Sequence, residues 1–208
     1  MSSQSLTYRP EIDGLRAVAV FAVMIYHAKF ELTGTNLLPG GFLGVDIFFV
    51  ISGFLITSLL RDEWVETGRI SFVGFYGRRI RRLLPALFLV MIVSLPLAWE
   101  ILLPGQLLEF AKSQLASILF VSNFFWDVSL QEYGAESALL APFLHTWSLA
   151  VEEQFYLLFP LLFVLLGKFG SAWLWRLLMA LGVASFGLAV WIAPVDNSSA
   201  FYMLHTRF

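Results

Sequence analysis

Cysteine is absent from the 208 residues, which excludes disulfides, a thiol nucleophile and any thiolate metal site. Charge is scarce: Asp, Glu, Lys and Arg together supply 13% of the chain, about half the share of a soluble domain. Its balance is nearly even, a net −2, which excludes the strongly basic surface that nucleic acid requires. No internal repeat or low-complexity tract is present. No histidine spacing as tight as H-x-x-x-H offers a ligand pair, so no metal is expected. The first apolar segment is followed by no convincing small-residue cleavage site and is expected to stay as a signal-anchor.

What the chain has is apolar length. Hydrophobic residues make up 59%, and mean hydropathy is +0.79. Runs of about 17–25 apolar residues recur along it, which predicts an all-α, polytopic transmembrane helical bundle. The lipid bilayer is thus its first partner. Six membrane segments are expected, near 12–30, 42–60, 83–103, 107–126, 146–166 and 173–193. Pro85 and Pro96 are expected to kink the third. Arg61, Arg69, Arg78, Arg79, Arg81 and Arg82, six of the 13 Lys and Arg, cluster between the second and third, so the positive-inside rule assigns that loop and the N-terminus to the cytoplasm. A conflict follows. Two full spans between 83 and 126 would return the acidic 127–144 loop (Asp127, Glu132, Glu136) to the cytoplasm and put Lys168 and Arg176 outside. The 107–126 segment is the most polar, with Glu109, Lys112, Ser113, Gln114 and Ser117, and a re-entrant path through 100–126 would remove the conflict.

Ionisable groups inside apolar segments are costly and mark function. Arg16 and His27, eleven residues apart on the first segment, come within roughly 20° of one helix face and are separated by roughly 16 Å in height. Arg16 could simply snorkel to headgroups; as a pair they offer a cation for negative charge and an imidazole that abstracts a proton or accepts an acyl group. Asp46, a few residues into the second segment, pairs with Arg16, orients His27 or fixes helix contact; Gly41, Gly44, Ser52 and Gly53 nearby permit close approach. The run Arg78, Arg79, Arg81 and Arg82 serves topology and anionic headgroups, and also has the forks of a phosphate clamp. In HTWSLAVEEQFYLLFP, His145, Ser148 and Glu152 share a helical face, while Glu153 points about 100° away, so the two acids are expected to do different jobs.

The stretches PEIDGLRAVAVFAVMIYHA, GGFLGVDIFFVISGFLIT, FYGRRIRRLLPAL and HTWSLAVEEQFYLLFPLL, in that order, resemble the acyltransferase-3 family of integral membrane O-acyltransferases over roughly 9–166 and on toward Arg207. The resemblance implies about ten membrane segments of about 20 residues each, sometimes followed by an extracytoplasmic hydrolase-like domain. Residues 1–208 are then expected to be the N-terminal part of that domain, with the C-terminal spans and any extracytoplasmic domain absent. It further implies an enzyme of the bacterial cytoplasmic (inner) membrane. The acyl group, commonly acetyl, passes from cytoplasmic acyl-CoA to a hydroxyl of an envelope carbohydrate such as O-antigen, peptidoglycan or exopolysaccharide. Acyl-CoA is the co-substrate and the carbohydrate the acceptor. The family pattern falls on Arg16 and His27, on Arg78/Arg81 and Arg79/Arg82 as Arg-x-x-Arg, and on His145, Glu152 and Glu153.

The alternative is a proton-coupled transporter using the same intramembrane Arg, Asp, His and Glu set, although no inverted repeat is visible. Nothing in the sequence fixes an oligomeric state.

Overall fold

The computed structural model describes residues 9–29, 31–32, 35–131, 141–167 and 171–207. It is all-α apart from one antiparallel pairing of two-residue strands, β1 (Glu31–Leu32) with β2 (Thr35–Asn36). The chain divides into two compact units, Met1–Arg69 and Ile70–Phe208.

In the first unit, α1 runs Pro10–Ala28. Proline at its first position and Glu11 and Asp13 in its first turn suit a helix N-terminus. It stops where Lys29 turns into the left-handed region. A 3-10 turn, Gly41–Leu43, leads into α2, Gly44–Thr67, which Gly68 terminates at φ 68°. The two helices run antiparallel with their backbones in contact. A side chain at Gly41 would overlap the Ala22 carbonyl and Tyr26, and one at Gly44 would come within 2.5 Å of the Ala19 carbonyl and 2.7 Å of Val23. At the far end the Arg9 guanidinium lies 5.6 Å from the Phe54 ring. Gly53, expected to aid close approach, faces nothing within 4 Å among the described residues.

The second unit holds α3 (Phe72–Ile101), α4 (Pro104–Ile118), α5 (Ser122–Ser129), α6 (Thr146–Gly167), α7 (Ser171–Ile192) and α8 (Asn197–Tyr202). Its core is Leu87, Met91, Ala98, Phe110 and Phe143, with Leu149 of α6 packed against it. Tyr76 donates to the Leu157 carbonyl at 3.1 Å, and Leu149, earlier on α6, packs against the cluster that holds Leu87 and Met91, later on α3, so α6 runs antiparallel to α3. Gln114 of α4 donates to the Met91 carbonyl at 3.0 Å, joining α4 to α3.

Three expected segments differ from the observed helices. The second extends to Thr67, not 60, and the third begins at Phe72, not 83, so the charged stretch 61–82 is helical except for 68–71. Arginine and glutamate are good helix formers; of the three glycines there Gly68 ends a helix, whereas Gly74 and Gly77 are carried inside the next one. The segment expected over 107–126 is two helices, interrupted at 119–121 where Phe120 takes φ 53°. Among the described residues four helices are long and apolar enough to cross a membrane, Gly41–Thr67, Phe72–Ile101, Thr146–Leu166 and Ala172–Ile192. The α1 helix, 19 residues with Glu11, Asp13 and Arg16, is not among them.

Candidate active site

The α1 stripe is built as the spacing predicts. Ala19, Ala22, Val23 and Tyr26 meet α2, and Arg16 and His27 lie on one flank of that face, roughly 70–90° around the helix. Arg16 is half-buried and bridges to Asp13 of its own helix at 3.7 Å. His27 is exposed in the last turn. Its Nδ1 lies 2.9 Å from the Val23 carbonyl. A carbonyl oxygen only accepts, so Nδ1 carries a proton, and in the neutral imidazole the lone pair is then on Nε2. The tautomer is thus set by the backbone of α1; the sequence reading sought a carboxylate for that purpose. Asp46 is half-buried in the first turn of α2. The register puts it roughly 5 Å above the level of Arg16 and roughly 12 Å below His27. A carboxylate there also complements the helix N-terminus.

In the second unit the arginine run is divided. Arg78, Arg81 and Arg82 are exposed, whereas Arg79 is half-buried. The Arg79 guanidinium carbon lies 3.3 Å from the Tyr156 ring centroid on α6 and 5.0 Å from that of Phe75. Tyr156, 4% exposed, donates its hydroxyl proton to Glu152 Oε1. Arg79 and Glu153 interact electrostatically. Arg79 Nε and Glu153 Oε1 are both buried without a hydrogen-bond partner among the described residues. Glu152 and Glu153 thus take different surroundings, as their different faces predict. His145 does not join them. It lies exposed in the turn before α6, where its carbonyl accepts from the Ser148 hydroxyl at 3.1 Å. Seven residues separate it from Glu152, roughly 10 Å along the helix.

Sequence reading missed several polar residues of this unit. Gln154 donates to the Phe120 carbonyl at 2.9 Å and to Asn123 Oδ1 at 2.8 Å, pinning the break between α4 and α5. Ser117 and Thr146 share a buried hydrogen bond of 2.7 Å. Asp127 is buried on α5, not in an open loop, and accepts from the Ser199 hydroxyl at 3.0 Å. Glu132 and Glu136 lie outside the described residues. Burial, and then the Asp127 carboxylate, push the Tyr202 phenol up. Arg207 lies 4.9 Å from the Phe201 ring and 5.6 Å from that of Trp147. Tyr156 could have been found: it stands one turn after Glu152, the spacing of a helical pair. Among the described residues no three His, Asp or Glu side chains form a set that could hold a metal ion.

A polytopic helical bundle with an Arg–His stripe on one helix and an Arg–Tyr–Glu cluster between two others defines an integral membrane protein equipped for chemistry. The chain belongs to the acyltransferase domain family, which it matches over residues 9–205. It is 40% identical over 203 residues to the O-acetyltransferase OatA of Staphylococcus aureus (strain NCTC 8325 / PS 47), covering 96% of this chain and 32% of that protein. It is 38% identical over 213 residues to a putative O-acetyltransferase, SAS0844, of S. aureus (strain MSSA476), covering 98% of this chain and 33% of that protein. The chain therefore spans about a third of the length of these curated relatives. No solved structure matches it.

Proposed function

We propose that this chain acts within a membrane O-acyltransferase that moves an acyl group, acetyl foremost, from cytoplasmic acyl-CoA to a hydroxyl of an envelope carbohydrate. The observation that carries the reading is the His27 imidazole, whose Nδ1 proton is held on the Val23 carbonyl so that Nε2 stands as a base. The relatives' names, O-acetyltransferase, favour acetyl and a hydroxyl acceptor. The membrane is the bacterial cytoplasmic one, with the N-terminus inside; the arginines at the start of α3 favour this orientation.

In this mechanism the exposed guanidiniums of Arg78, Arg81 and Arg82 take the coenzyme A phosphates as charge-assisted forks. His27 Nε2 removes the acceptor hydroxyl proton as the oxygen attacks the thioester carbonyl. The C–S bond breaks, and the departing thiolate takes up the proton from the imidazolium. In the covalent variant Nε2 attacks the thioester carbonyl first and the C–S bond breaks to release the thiolate; the hydroxyl then takes the acyl group as the C–N bond breaks, and its proton passes to the thiolate, leaving the imidazole neutral. Arg16 stabilises the negative charge that develops on oxygen or sulfur. Asp46, Glu152, Glu153 and His145 supply the remaining acid–base groups. O-antigen, peptidoglycan and exopolysaccharide all offer the required hydroxyl.

The test expresses the complete gene, wild type and His27→Ala, in a strain lacking the endogenous activity, and measures ester-linked acetyl on envelope glycans by mass spectrometry. Acetyl present with the wild type and absent with His27→Ala, at equal levels of folded protein, is the expected result. Normal transfer by His27→Ala would end the mechanism. No acyl group on any glycan would favour the transporter, which substrate flux into membrane vesicles would then reveal.

A further inference from the structure

We propose that Tyr156 is a positioning residue that withdraws Arg79 from the arginine run and dedicates it to the acidic pair on α6. The inference deepens the acyl-CoA reading above and rests on it for its kinetic part. Four neighbouring arginines look equivalent in sequence, but α3 is helical through all of them, so they cannot face one way. Phe75 and Arg79, one turn apart, point to α6, while Arg78, Arg81 and Arg82 remain exposed. At 3.3 Å from the Tyr156 ring centroid, one face of the Arg79 fork is covered, and the second ring, Phe75, lies 5.0 Å away. The ring covers only the face of the guanidinium, but Arg79 Nε is itself buried, so the side-on fork of Nε and Nη that a bidentate phosphate contact would use is closed.

The same contact gives Arg79 other company. Tyr156 is oriented by its own hydroxyl, which is bound to Glu152, and the Glu153 carboxylate lies within electrostatic reach of the guanidinium. Glu152, Tyr156 and Arg79 form a chain from carboxylate to ring to cation, with Glu153 beside it. Arg79 Nε and Glu153 Oε1 are each buried without a hydrogen-bond partner among the described residues. No ion pair joins the two side chains among the described residues. Arg79 therefore sets the charge around the acidic pair, and Tyr156 keeps it there. Loss of the ring frees the guanidinium; loss of the hydroxyl alone leaves the stack in place.

The absence of cysteine makes the placement directly testable. Arg78→Cys, Arg79→Cys, Arg81→Cys and Arg82→Cys are made singly in the complete protein and probed in inverted membrane vesicles with a cationic, membrane-impermeant thiol reagent. Labelling is expected at positions 78, 81 and 82 and not at 79. Adding Tyr156→Leu to Arg79→Cys is expected to expose the thiol. Acetyl-CoA is expected to protect positions 78, 81 and 82. In kinetics, Arg81→Lys raises the donor KM. Arg79→Lys and Tyr156→Leu lower kcat at least about tenfold with less effect on the donor KM, and Tyr156→Phe recovers most of that loss. Equal labelling at all four positions would overturn the proposal. So would a donor KM that rises as much in Arg79→Lys as in Arg81→Lys. If position 79 alone is protected and no arginine variant alters the donor KM, the acyl-CoA reading fails while the placement of Arg79 stands.

Discussion

Glycine is the residue on which the first unit turns. Gly44 lets α2 lie against the α1 backbone, and the atom that a methyl group would meet first, the Ala19 carbonyl oxygen at 2.5 Å, cannot swing aside as a side-chain tip would. Gly44→Ala is therefore expected to destabilise by about 1–3 kcal/mol, the range for overpacking a tight contact. Gly53 sits in the same helix with nothing within 4 Å of its added methyl. Gly53→Ala is expected to stabilise by roughly 0.5–1 kcal/mol through helix propensity alone. Thermal unfolding of the detergent-solubilised protein checks both: one midpoint should fall and the other rise. A fall for both would mean that Gly53 meets a neighbour outside the described residues. Sequence marked Gly41, Gly44 and Gly53 alike, because composition records a small residue and not the direction in which it points.

At the scale of elements, α6 carries two separate duties. Thr146 and Gln154 pin the interrupted α4–α5 segment, and Glu152, Glu153 and Tyr156 address α3. Asn123 is fully buried and Gln154 half-buried, so removing either amide costs the other a partner. Gln154→Ala and Asn123→Ala are each expected to cost about 1–3 kcal/mol, and the double variant less than their sum. Strict additivity in unfolding measurements would show that the amides do not act as a pair. The sequence showed α6 and α7 to within two residues, since each carries an apolar run long enough to outweigh the few polar residues inside it, Glu152, Glu153 and Gln154 in one and Arg176 in the other. It showed the Arg16–His27 stripe for the same reason: helical period is a property of spacing. It could not show the break at 119–121, because no glycine or proline marks it. The turn is held by Gln154, which lies 34 residues from Phe120. Nor could it separate Arg79 from its neighbours, since that distinction exists only once α6 is in place.

The whole molecule returns to the charge conflict read from the sequence. The α3 and α6 helices are both apolar and long enough to cross, and they lie side by side in opposite directions. Two such helices can be antiparallel only if the chain between them makes no net crossing. The intervening segment behaves accordingly. From α3, α4 turns back along it, with Gln114 level with Met91 and Phe110 in the core beside Ala98. The chain breaks at Phe120, beside Gln154. Next, α5 leads back toward the start of α6, where Trp126 donates to the Phe143 carbonyl at 3.3 Å. A helix of 15 residues and one of 8 measure roughly 22 Å and 12 Å, each short of a bilayer core of about 30 Å. A re-entrant hairpin would leave Gln131 opposite the arginine run and return Arg176 to the arginine side, as the positive-inside rule asks. Cysteine placed at Gln131 in this cysteine-free chain should react with an impermeant thiol reagent added to intact cells, while cysteine at Arg69 should react only after permeabilisation. If both positions react only after permeabilisation, the α4–α5 segment crosses the membrane. The antiparallel pairing of α3 with α6, and with it the contact between Arg79 and Tyr156, would then have to be abandoned.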